Sequence, residues 1–278
     1  MTTLSNSNYL ELTFRTGLYA SGYVNCTVQA IEKSIDFVQR TTTTTEIIPI
    51  DSVEIDSSEH GGPKGDKSTN CSCGWANKAR VIGGRETAVN EYPFNVALTG
   101  RDDESNYTQQ INVIFIDMHP GYQGNEPNFD IAVLVLEKKI EYNQFVGPVC
   151  LPNRQLNLVG DHVKVIGWGR TQSYGAGSFF VKKTNVKVLP LVECARAFPR
   201  HVDLANPHLI CTYSKMKGIG LGDSGGPVVW LDPETNRYTV VGLPALVRLY
   251  LGENHYVPDM STDVSSYIDW IAKSVDSK

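Results

Sequence analysis

From Cys71 onward the chain is a series of short apolar runs broken by turn residues. "YPFNVAL", "INVIFI", "IAVLVL", "VKVIGW", "FFVKKTNVKVLPL", "GGPVVWL" and "YTVVGLPALV" follow one another with Gly, Pro or Asn between them. Turn signals recur about every 8–15 residues, which predicts an all-β sandwich or barrel. The end of the chain changes period. Val264, Tyr267, Ile268, Ile271 and Val275 recur at helical spacing, predicting an amphipathic terminal helix capped near Thr262 or Asp263.

Upstream the pattern is different. Within residues 8–31, Leu10, Leu12 and Phe14 alternate, and Tyr23, Cys26, Val28 and Ile31 sit among polar residues. This predicts two strands joined near "RTG", too little to be stable alone in water. Residues 33–70 hold "TTTTTE" and "DSSEHGGPKGDKSTN", where apolar content collapses. A Thr/Ser/Gly-rich linker is expected there, because little in it offsets the entropy of ordering. The division is therefore 1–32, 33–70 and 71–278.

Composition narrows the class. The chain has 278 residues, is 41% hydrophobic and carries a formal charge of −5. That balance speaks against a nucleic-acid partner and against a polybasic membrane surface. No apolar run approaches the length of a transmembrane helix. Six cysteines (Cys26, Cys71, Cys73, Cys150, Cys194, Cys211) form no metal-ligand spacing, so no metal and no cofactor is expected. Scattered cysteines of even number fit disulfides in a secreted chain. Three glycosylation sequons, at Asn25, Asn70 and Asn106, agree with an extracellular location. The start "MTTLSNSNYLELTF" has neither a basic nor an apolar signal region, so the expectation is that residues precede Met1.

The chemistry centres on "GLGDSGGPVVW", Gly220–Trp230. A serine hydroxyl is a weak nucleophile until a base takes its proton. Six stretches resemble, in order, those of the trypsin/chymotrypsin-type serine proteases: "RVIGG" (Arg80–Gly84), "NFDIAVLVL" (Asn128–Leu136), "VCLP" (Val149–Pro152), "VIGWGRT" (Val165–Thr171), "GDSGGP" (Gly222–Pro227) and "YIDWI" (Tyr267–Ile271). The resemblance implies two antiparallel β-barrels with a C-terminal helix. It makes Ser224 the nucleophile and Asp130, 94 residues earlier, the acid that orients the base. The N–H groups of Gly222 and Ser224 would form the oxyanion hole. An activating protease would cut Arg80–Val81, separating a pro-segment (71–80) from a catalytic-type domain (81–278). The freed Val81 ammonium would then pair with Asp223. Gly218, six residues before the nucleophile, takes the position at the base of the specificity pocket; without an acid there, no trypsin-like preference is expected. Cys73–Cys150 and Cys194–Cys211 are the disulfides the resemblance implies, leaving Cys26 and Cys71 unassigned. Substrates or binding partners would be proteins or peptides.

The chain also departs from that pattern. The family's "TAAHC"-like segment, which carries the catalytic histidine, is absent. Only 49 residues separate Val81 from Asp130, and a block of a few dozen residues is missing near Gly100–Arg101. Its loss removes roughly two strands, leaving the first barrel incomplete. His60, His119, His162, His201, His208 and His255 are expected to be surface or linker residues, not substitutes for the base. Gly220 stands where the family has a cysteine, and "GLPALVRLYLGENHY" replaces its partner segment. Residues 1–32 loosely resemble the last strands of a CUB domain, as in insect CUB-plus-protease chains. The expectation is a secreted endopeptidase-type chain, inactive as it stands, or a non-catalytic homologue acting by binding.

Overall fold

The computed structural model describes residues 10–13, 24–29, 73–76, 91–98, 109–124, 127–143, 145–170, 177, 178, 180–205, 207–214, 217–246 and 257–277; for 10–13, 24–29 and 96–98 this means the backbone alone. The described part is mostly β, arranged as one open sheet and one closed barrel. The open sheet has the order β3-β2-β1-β5-β4. Its strands are β1 (Leu10–Thr13), β2 (Val24–Gln29), β3 (Asn95–Leu98), β4 (Val113–Met118) and β5 (Ala132–Leu136). The expected N-terminal pair thus forms, with Leu10 opposite Gln29. It joins the sheet by pairing β1 with β5 and β2 with β3.

The barrel closes in the order β10-β11-β8-β7-β6-β9. It comprises β6 (His162–Gly167), β7 (Lys182–Leu189), β8 (Leu209–Tyr213), β9 (Val228–Asp232), β10 (Arg237–Leu246) and β11 (Asp259–Asp263). Val163, Val165, Val186, Val188, Val228 and Val241 fill it. β-Branched side chains suit such strands, since their stiff χ1 packs well on a pleated surface. Closure also removes the barrel's exposed edges.

Two helices punctuate the barrel. α1 (Leu191–Ala197) follows Pro190, whose fixed φ starts a helix without a donor, and it carries Cys194 inward. It was not legible in the sequence, because seven residues are too few to show a period. A 3-10 turn (Val264–Tyr267) leads into α2 (Ile268–Asp276). Asp263 caps that turn, accepting from Ser265 N at 2.9 Å.

Residues 73–76 are stitched to the barrel. Gly74 N donates to Pro148 O, and Tyr238 N donates to Gly74 O, both at 2.8 Å. The disulfide Cys73–Cys150 closes the same contact, and a second disulfide joins Cys194 on α1 to Cys211 on β8. Gly74 adopts φ +70°, and a Cβ there would strike the Tyr238 backbone. Beside it, Tyr92, Phe94 and Tyr238 form an aromatic cluster in the main core. Lys183 reaches this cluster with its ammonium 2.6 Å from Glu91 and 5.7 Å from the Tyr92 ring.

Candidate active site

The loop from Gly218 to Pro227 is held rigid from several sides. Asp223 N donates to Gly220 O at 3.1 Å, Gly226 N to Asp223 O at 2.9 Å, and Gly225 N to Pro244 O at 3.1 Å. Gly222 and Gly225 take φ +98° and +76°, a region that favours glycine. The segment that carries Ser224 is therefore bent at two positions that only glycine fills without strain.

Asp223 is the buried anchor of the loop. Its Oδ1 accepts from Gly169 N at 2.7 Å and its Oδ2 from Gly220 N at 2.9 Å. Burial pushes its carboxyl up, while those two N–H groups oppose the shift. Gly167 and Gly169 leave the room: a Cβ on either would overlap the carboxylate. The "GWG" of β6 and its exit therefore makes space for the acid that precedes Ser224.

Asp130 arrives from the other sheet. It is 3% exposed and lies just ahead of β5. Its carbonyl accepts from Thr262 Oγ1 of β11 at 3.1 Å. Phe129, at φ +59°, turns the chain just before it, and Phe129 N donates to Tyr267 Oη at 3.2 Å. Asp130 is thus tied to the barrel by Thr262 and, through its neighbour, to the turn that leads into α2. Burial, and then Asp263 and Asp130, push the Tyr267 hydroxyl up to about 12, with the Phe129 N–H opposing.

Two of the described histidines, His119 and His208, pack into an aromatic cluster around Phe129 and Tyr267. His119 stacks on Phe129 with ring centres 4.9 Å apart and packs against Tyr267 and Trp270. Its Nδ1 accepts from Gly121 N at 3.1 Å. Burial, then His208, holds its pKa below the usual value. His208 meets Phe129 and Tyr267. His119 and His208 are therefore half-buried in an aromatic cluster, not the surface residues the sequence suggested; each ring gains more from flat apolar neighbours than from water. His162 starts β6 on the exposed side, and His201 follows α1, half-buried.

The residues singled out in the sequence are thus brought together in part. Ser224, Gly222, Asp223 and Gly218 share one loop, and Asp130 is delivered to β11. Arg80, Val81, Cys71, Asn70, Asn106, His60, His255 and the linker lie outside the described residues, while Asn25 falls on β2. Sequence reasoning missed Asp259, which opens β11 and belongs to no motif. The signal for it was a lone acid among apolar and hydroxyl residues in "VPDMST".

The chain resembles known proteins. The family model described as Trypsin matches residues 88–271. The chain belongs to the trypsin family of serine proteases. It is similar to venom serine protease 34 of Apis mellifera, 31% identical over 255 aligned positions that take in 73% of this chain and 60% of that protein. It is also similar to a venom serine protease of Polistes dominula, 27% identical over 74% of this chain and 88% of that one. Among solved structures it resembles neuropsin, a serine protease expressed in the limbic system of mouse brain. There the TM-score is 0.53 with 24% identity, over 62% of this chain and 74% of that one, a likeness of fold. The trypsin-family chain thus spans about three fifths of its honeybee relative's length.

Proposed function

We propose that this chain is a secreted trypsin-family zymogen, cut at Arg80–Val81, whose nucleophile half is built but whose base is missing, so that it does not hydrolyse peptides. The carrying observation is the short path from Val81 to Asp130, which leaves no place for the family's histidine segment. Ser224 is the nucleophile in this reading, Gly222 N–H and Ser224 N–H the oxyanion donors, and Asp130 an orienting acid with nothing to orient. In subtilisin, which uses the same triad chemistry on another fold, removal of the base costs about 10⁶ in turnover.

Two further observations support a lost block. The honeybee match uses 255 aligned positions but only 73% of 278 residues, about 203, so about 52 positions face gaps in this chain. Among the described residues the open sheet also ends on β4, where Ile114, Phe115, Ile116 and Met118 are 43–62% exposed. A long apolar edge strand is what a sheet presents after losing its cover.

Cleavage would free the Val81 ammonium to reach Asp223. That carboxylate is buried and accepts two backbone N–H bonds, and such an acid is suited to a switch that delivers a cation to it. The second reading is a non-catalytic homologue that binds protein partners without cutting them. Sequencing transcripts across codons 100–101 separates the two. A longer transcript carrying a histidine block supports a truncated protease; if every transcript joins Gly100 to Arg101, the chain is a binder by design.

A further inference from the structure

We propose that His119 is an acid-sensitive latch between the open sheet and the barrel. A proton taken up at its Nδ1 breaks its bond to Gly121 and frees the turn that braces Phe129, which loosens the bend that delivers Asp130. The device needs no reactive serine.

The contacts run in one chain. His119 follows β4, and its backbone N donates to Ile131 O at 3.0 Å. Gly121 N donates to its Nδ1 at 3.1 Å, and Tyr122 N to its carbonyl at 3.0 Å. The tight turn so formed lies on Phe129: a Cβ on Gly121 would come within 2.9 Å of the Phe129 ring. The imidazole stacks on the same ring, 4.9 Å away and tilted by 13°. Its other ring neighbours follow the barrel's last strand, Tyr267 at 5.3 Å and Trp270 of α2 at 5.0 Å. One imidazole therefore joins the bend before Asp130 to the elements that close the barrel's C-terminal side.

A neutral histidine that accepts at Nδ1 carries its proton on Nε2, so the next proton goes to Nδ1. That sets one N–H against another, the Gly121 donor, and the turn loses its bond. The surroundings oppose the new charge. His208, which meets Phe129 and Tyr267, is the titratable group acting on His119, and when charged it repels it. Tyr267 is the titratable group of the 3-10 turn; Asp130 and Asp263 act on it, and Asp263 also on His208. Asp117, two residues before His119, is engaged by Ser274 Oγ of α2 at 2.6 Å, while Asp269 and Lys273 of α2 are exposed. Burial, then His208, holds the imidazole below its ordinary 6.5. A base lowered in the fold contributes stability that is present above 6.5 and is lost as pH falls below it. The latch is thus closed at pH 7.5 and opens on acidification. Its sign is opposite to that of Asp223 and Asp263, whose carboxyls are pushed up, so its opening is read locally.

The test is hydrogen exchange of the full chain at pH 7.5 and 5.5, corrected for intrinsic rates and read at the Gly121, Tyr122 and Phe129 amides. A proton that binds the open turn at 6.5 and the closed turn not at all favours opening about tenfold at pH 5.5. The expected result is a loss of protection at these amides that approaches this factor, with the β7 amides unchanged. His119→Asn keeps a neutral acceptor for Gly121, and His119→Phe keeps a ring on Phe129; in both the loss should vanish, and either variant alone decides. The His119 ring of the parent should titrate below pH 6.5 by nuclear magnetic resonance. Equal loss in the parent and a variant overturns the inference. So does unchanged protection in the parent, a loss shared equally by β7, or a His119 that titrates at 6.5 or above.

Discussion

The carboxylate of Asp223 spans 54 residues of sequence to hold the backbone N–H of Gly169 at 2.7 Å, while its second oxygen holds Gly220 N at 2.9 Å. Asp223→Asn keeps one acceptor and turns the other into a donor facing an N–H. The loss of a buried hydrogen bond plus the clash of donors should cost about 1–3 kcal/mol in urea unfolding. Asp223→Ala should cost at least as much and loosen the Ser224 loop. If either variant unfolds at the parent's urea midpoint, Asp223 is not the loop's anchor.

Asp259 sets a pH dependence with a defined sign. Its carboxyl moves from the ordinary 3.8 to about 7 in the fold. The folded state therefore holds a proton that the unfolded state releases. The stability this gives is complete below pH 3.8 and is lost as pH rises through 7. Thermal melts should show a lower Tm at pH 8 than at pH 5. Asp223 and Asp263, also pushed up by burial, act in the same direction. Asp259→Asn should flatten the slope in part, most visibly between pH 5 and 7; an unchanged slope would show that Asp259 titrates normally.

The two disulfides differ in the loops they close. Cys73–Cys150 spans 77 residues and Cys194–Cys211 spans 17. On the chain-entropy model they contribute about 4.5 and 3 kcal/mol. Replacing Cys73 and Cys150 together by Ser should therefore lower the urea midpoint more than replacing Cys194 and Cys211. After cleavage at Arg80–Val81, the N-terminal fragment should stay attached on a non-reducing gel and separate on a reducing one. Separation without reductant would show that the pro-segment is not tethered.

The β4 edge predicts self-association. Ile114 and Ile116 are 62% and 54% exposed on a strand whose described partner is β5 alone. Ile114→Glu with Ile116→Glu should reduce dye binding to exposed apolar surface and shift the chain toward monomer in sedimentation. Stability should move by only about 0.5 kcal/mol, since both side chains already meet water. No change in association would mean that the edge is covered in solution.

Much of the barrel was legible in the sequence, and the reason is periodicity. Alternation in "VKVIG" and "VKVL" places Val163, Val165, Val186 and Val188 on one face, so the strands announce their core side. The cap was legible only as Thr262 or Asp263, and the structure uses Asp263, whose carboxylate accepts from Ser265 N at the start of the 3-10 turn. The helix Leu191–Ala197 was not, being seven residues long and set by Pro190 and a disulfide. Asp259 was not, because its partner is a backbone N–H 40 residues away, and nothing in local spacing records which strand will lie beside Gly218. His119 was misread for a similar reason: Phe129, Tyr267 and Trp270 come together around it only in three dimensions.

If Ser224 stands in a complete loop without a base, its hydroxyl should be inert, and labelling chemistry reads this at the atom concerned. The recombinant chain is cleaved after Arg80 and treated with a fluorophosphonate probe, and label is located by peptide mapping. A serine without its base predicts no labelling at Ser224 above that of the Ser224→Ala variant. Rapid, stoichiometric labelling at Ser224, absent from Ser224→Ala, would contradict the missing base and show that another group in this chain activates the serine.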